Sequence, residues 1–139
     1  MEYLKKAFAA LLAVSGWIIA HYYTSKRDLG NSRRVTRIDA LSSCYKALVR
    51  SGFDGEMVVN GEDGKAINKA TPVEDAIALI HFYGNQEQSN LASEYSRMVG
   101  ETNRGNSTDL VNALRKDIRG MLGEPELVGE PAYLRVHLK

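Results

Sequence analysis

Residues 7–23, AFAALLAVSGWIIAHYY, carry no charged side chain, and that run constrains the chain more than any other feature. An α-helix rises about 1.5 Å per residue, so roughly 20 apolar residues cross the hydrocarbon core of a bilayer and about 17 is near the lower limit. The run reaches that limit. Leu4 extends it, Trp17, Tyr22 and Tyr23 supply amphipathic rings that favour the headgroup level, and Lys5 and Lys6 can reach outward along their aliphatic stems. A helix satisfies its own backbone hydrogen bonds, so one such segment can sit in lipid without a partner. Ser15 and Gly16 offer a place for a second helix to approach closely.

Three other readings compete with a membrane anchor. A cleaved secretory signal has the same positive start, and Ala20 stands where a cleavage site could lie, but the dense cationic stretch that follows opposes translocation. A core helix of a small domain should show one polar side, whereas this run is apolar all round. A helix lying in the membrane surface needs a polar face too. A retained span is the reading that meets none of these objections.

Charge places the rest of the chain. The 139 residues sum to a net charge of +1, which conceals a polarity: residues 24–50 hold seven basic and two acidic side chains, residues 51–105 four basic and nine acidic. The cationic part adjoins the apolar run. Basic residues just cytoplasmic of a span set orientation and are attracted to anionic headgroups, at about 1 kcal/mol each near the surface. Lys26, Arg27, Arg33, Arg34 and Arg37 outweigh Lys5 and Lys6, so the expected topology is N-terminus outside and the body in the cytoplasm. The same cations could hold nucleic-acid phosphates, but beside a span their role in topology and lipid contact takes precedence, so nucleic acid is not an expected partner.

Behind that collar, Ile38, Leu41, Tyr45 and Leu48 fall at 3-4-3 spacing, with Cys44 and Val49 widening the stripe. This is the seam of a packing helix, within the chain or between copies. Carried backward it meets Arg34 and Asn31, so packing should begin near Ile38. It is too short for a sustained coiled coil. The run Lys26-Arg27-Asp28, Asn31, Arg33-Arg34, Arg37-Ile38, Leu41, Tyr45 and Leu48 directly behind a single span resembles short bacterial single-pass membrane-anchored helical proteins of uncharacterised function. Weaker echoes are Phe82-Tyr83-Gly84, Leu114-Arg115-Lys116-Asp117-Ile118-Arg119 and Leu134-Arg135-Val136. The resemblance implies a mostly helical single-pass protein and carries no catalytic residues; it covers the first fifty residues and the rest in patches, and departs at residues 52–70.

The expected divisions are an N-terminal tail and span (1–23), a basic juxtamembrane helix (24–51), a Gly-rich loop or hairpin (52–70), a helical bundle (71–123) and a tail (124–139). In the second of the soluble parts, Met57-Val58-Val59 and Ala66-Ile67 can pair as a hairpin or remain a flexible acidic loop. Thr71-Pro72-Val73-Glu74 reads as a capping box opening a helix whose inner face is Val73, Ala76, Ile77 and Ile80, widened by Leu79, Phe82 and Tyr83 until Gly84. Asn85 starts the next, with Leu91, Tyr95, Met98 and Val99 inward and Gly100 at its end. Residues 101–106 read as a polar connector. Ser107 or Thr108 caps a last helix bearing Leu110, Val111, Leu114, Ile118, Met121 and Leu122, stopped by Gly123 and Pro125. Ala132, Leu134, Val136 and Leu138 alternate with polar neighbours as a half-buried strand would. It can pair with residues 57–59, add to an edge in another subunit, or hang free.

No constellation for chemistry emerges. Cys44 is the sole cysteine, which excludes an internal disulfide, and it reads as a small packing residue rather than a nucleophile. His21, His81 and His137 are scattered, and no phosphate loop, dinucleotide fingerprint or metal-binding His pair occurs, so neither a cofactor nor a metal is expected. Taken together, the expected fold is mainly α, an N-terminal transmembrane helix running into a small cytoplasmic helical bundle with a short C-terminal strand or hairpin. The expected function is a non-enzymatic, membrane-anchored interaction or scaffold protein that recruits or regulates a protein partner at the cytoplasmic face of a bacterial membrane, as a homo-oligomer. The alternative is a membrane-acting effector whose assembly gathers spans into a lesion or pore, against which stands the absence of a polar lining on so apolar a helix.

Overall fold

The computed structural model describes residues 1–61, 64–129 and 131–133. Its first element is a 50-residue helix, α1 (Glu2–Ser51), unbroken through Gly16 and Gly30. The chain divides into two units, Met1–Ala40 and Leu41–Lys139, each taken by itself below. In the first, residues 1–36 are all exposed. Side-chain hydroxyls there return to the helix, Ser15 donating to the Leu11 carbonyl at 2.7 Å and Thr36 to Ser32 at 3.0 Å, so neither leaves an unmet polar group on an apolar surface.

The second unit starts at Leu41, one step into the 3-4-3 pattern. Leu41, Cys44 and Leu48 of α1 are fully buried, and Ile38, just before them, is half-buried. They share one core with Val73, Ala76 and Ile80 of α2 (Thr71–Tyr83), Ala92 and Tyr95 of α3 (Gln86–Thr102), and Leu110, Val111 and Leu114 of α4 (Thr108–Leu122). Full burial of a Leu or Ile side chain contributes about 1.5–3 kcal/mol, so this cluster is the main source of cohesion. Burial also decides Cys44: its thiol is pushed above the ordinary range by desolvation and acts as a packing group.

Among the described residues four short strands link the helices. β2 (Val58–Asn60) and β3 (Ala66–Asn68) form the expected antiparallel hairpin, with Val59 opposite Ile67. The second pair was not legible in the sequence: β1 (Asp54–Glu56) runs antiparallel to β4 (Arg104–Asn106), inside the stretch read as a connector. Asn103 fixes that crossing. It closes α3 in the left-handed region at φ 58°, its side chain donates to Val58 O at 2.9 Å and accepts from Val58 N at 3.0 Å, and its own carbonyl accepts from Met57 N at 3.1 Å. Gly105 follows because a Cβ there would stand 2.7 Å from Val99 Cγ2 and 2.9 Å from Tyr95 Cε2.

Several local expectations need correction. Thr71 is not the cap of α2. Ala70 takes that position in a helical conformation, its carbonyl receives Val73 and Glu74 N–H at 2.8 Å, and no side-chain cap bond forms. The capping box lies instead on α3, where Asn85 Oδ1 accepts from Gln88 N and Gln88 Oε1 from Asn85 N, each at 2.9 Å. That helix passes through Gly100 and ends at Thr102. Phe82 is 78 % exposed and Leu79 is also exposed, because Phe82 lies about 200° round the helix from Ile80 and cannot widen the same face. Leu122, in the last turn of α4, is exposed as well. Ser107 precedes α4 without a side-chain cap bond, and its buried hydroxyl has no partner among the described residues. The alternating tail expected as a strand lies, from Leu134 onward, outside the described residues, and residues 131–133 have no regular structure.

Candidate functional site

Two features stand apart from the core. The first is the surface of residues 7–23, where Phe8, Leu11, Leu12, Trp17, Ile18 and Ile19 are each more than half exposed, Trp17 at 67 %. Among the described residues α1 is the one helix long and apolar enough to cross a membrane by length and composition, and none of its apolar window is buried. Monomeric soluble proteins rarely expose contiguous apolar patches above a few hundred Å². At the end of the run His21 stacks on Trp17 with ring centroids 5.4 Å apart, and Lys26 Nζ lies 5.8 Å from the Tyr22 ring centroid. Aromatic rings next to an ammonium suit a polar boundary, where one side is apolar and the other wet.

The expected lipid-facing cations follow in the same helix. Lys26, Arg27, Arg33 and Arg34 are exposed, and Arg37, where burial begins, is half-buried. Arg27 Nε lies 4.0 Å from the adjacent Asp28 carboxylate. Of the expected seam, Leu41 and Leu48 are consumed by the core, while Ile38 and Tyr45 are half-buried.

The second feature belongs to the unit Leu41–Lys139. A cleft of about 400 Å³ is lined by Ser42, Tyr45, Lys46, Arg115, Ile118, Arg119, Leu127 and Pro131. Tyr45 Oη meets Tyr133 Oη at 2.6 Å, and burial together with this bond pushes the Tyr45 phenol up to about 12. Arg119 donates from Nε to Pro125 O at 2.9 Å and faces Glu124 at 3.7 Å; Lys116 faces Glu126 at 3.4 Å. Among the described residues Arg115 makes one long bond, Nη2 to Gly129 O at 3.4 Å, and its buried Nη1 has no acceptor. None of these roles was legible in sequence, because Lys46 and Arg115 come from α1 and α4 and only folding brings them to one cleft. The signal that existed was position: each directly flanks a residue packed inward, Tyr45 and Leu114.

A further cleft, about 470 Å³, lies on α2 and α3, with Val73, Ile77 and Val99 on its walls and Glu74 and His81 beside them. His81 Nδ1 is bonded to Ser89 Oγ at 2.7 Å. No group of three or more His, Cys, Asp or Glu side chains suited to a metal occurs among the described residues. No family model, no curated protein and no solved structure matches this chain.

Proposed function

We propose that the protein is a single-pass membrane-anchored interaction protein of non-enzymatic kind, akin to the short bacterial anchored proteins it resembles. Residues 7–23 lie in the bilayer, Lys26 to Arg37 rest against anionic headgroups, and the helical unit faces the cytoplasm, where it recruits or regulates a partner as part of a homo-oligomer. The observation that carries this is the contrast within α1: a wholly exposed apolar band and a fully buried stripe in one helix. Transfer of so many apolar side chains to lipid, at about 25 cal/mol per Å², is the largest favourable term left open by the fold.

Flotation of the full chain with vesicles tests both halves of the reading. Incorporation resistant to alkaline carbonate is expected in neutral and anionic lipid alike. Replacing Arg33, Arg34 and Arg37 by Gln should leave incorporation intact while mixing the orientation, read by protease digestion of sealed vesicles. Full recovery in the carbonate supernatant refutes the anchor; unchanged orientation refutes the role given to the cations.

A further inference from the structure

Around the cleft beside Tyr45 the charges are unequally satisfied. Glu126 and Glu124 occupy Lys116 and Arg119 at 3.4 and 3.7 Å. Lys46 and Arg115 have no carboxylate partner among the described residues, although both line the cleft. Arg115 is the more exacting of the two. A guanidinium offers five N–H donors, yet among the described residues this one makes a single 3.4 Å bond to Gly129 O and holds Nη1 out of solvent with no acceptor. A buried charged donor left unmet is among the costlier defects a fold can carry, and native structures seldom retain one without a use for it. Turning the guanidinium into the adjoining space would exchange that orphaned donor for a charge-assisted bond, provided an anion stands there.

We infer that this cleft is a binding site for a phosphate-type oxyanion carried on an apolar body, with Arg115 supplying the planar fork and Lys46 a second positive charge. The lining fits such a ligand. Ile118, Leu127 and Pro131 are apolar walls for the body, Ser42 adds a hydroxyl, and a volume of about 400 Å³ falls within the usual range for small-molecule sites. A phosphate monoester has oxygens enough to engage fork and ammonium together, whereas a carboxylate offers two. Tyr45, held in its neutral form, puts no competing negative charge in the space. The inference is independent of whether residues 7–23 enter a bilayer, since every group it uses lies in Leu41–Lys139.

The test is calorimetric titration of the full chain in a non-ionic maltoside detergent with two probes: phenyl phosphate, for a soluble monoester, and dihexanoyl phosphatidate, for a lipid headgroup. Saturable binding of at least one is expected, and the tighter probe assigns the source. Arg115→Gln should weaken it about tenfold or more, and the exposed Lys46→Gln a few-fold, each with an unaltered circular-dichroism spectrum. Should Arg115→Gln fail to fold, Lys46→Glu decides at a position outside the core, with about tenfold loss expected. Absence of saturable binding by both probes overturns the site, as does equal affinity in the parent chain and the folded variants.

Discussion

Two stretches of one helix treat apolar side chains in opposite ways. In Met1–Ala40 they are spread round the whole circumference and none of the apolar window is buried; from Leu41 onward they fall on one stripe, and Leu41, Cys44 and Leu48 have no exposed surface. A stripe can be answered by three other helices of the same chain, because each presents a matching stripe. A circumferential run has no such answer within a domain of this size, and an apolar solvent is the environment that accepts it from every side. The distribution of apolar residues, rather than their number, is what distinguishes the two stretches.

The largest effect that sharpens this comparison is in the core. Leu114→Ala removes a fully buried side chain and should cost about 2–5 kcal/mol in urea unfolding of the helical unit, whereas Leu11→Ala in the exposed band should change it by less than about 0.5 kcal/mol. Comparable losses at both positions would erase the distinction. The mirror-image experiment is Leu12→Asp, which places a charge near the middle of the run at about 3 kcal/mol of insertion free energy. It should shift the chain from the carbonate pellet to the supernatant and leave the unfolding midpoint of the helical unit unchanged.

Next in size is Asn103. Asn103→Ala keeps the left-handed φ of 58° while deleting both side-chain bonds to Val58, so about 2 kcal/mol of stability should go; Asn103→Gly relieves the backbone and should lose about half as much. Equal losses would mean that the conformation contributes nothing. The smallest effect is alkaline. Tyr45 titrates at about 12 in the folded chain against an ordinary value of 10.0, so its contribution is fully present below about pH 10 and fades as pH rises through about 12. In that window stability should fall more steeply in the parent than in Tyr45→Phe, as read by chemical unfolding at each pH.

Legibility followed periodicity. The packing onset near Ile38, the inner faces of α2 to α4 and the β2–β3 hairpin were readable because each has a regular spacing or a turn signal between two apolar runs. The pair β1–β4 was not, since Arg104, Gly105 and Asn106 show no alternation and are held by backbone bonds to β1, while the Asn103 side chain just before them bonds Val58. Thr71 misled for a related reason: its identity suits a cap, but the carbonyl of Ala70 already accepts the first N–H groups. Asn85 and Gln88 carried the true capping signature, three positions apart. The cations of residues 26–37 were visible as a local cluster, while the Lys46 and Arg115 cleft depends on residues of α1 and α4 that only folding brings to one place.

Trp17, the single tryptophan of the chain, reports directly on the apolar band. In vesicles, its fluorescence should shift to the blue of its emission in water and be quenched strongly by lipids brominated along the acyl chain, while aqueous acrylamide quenches it weakly. Emission typical of water, open to acrylamide and indifferent to bromine, from a chain that stays monomeric without detergent, would contradict the placement of residues 7–23 in lipid.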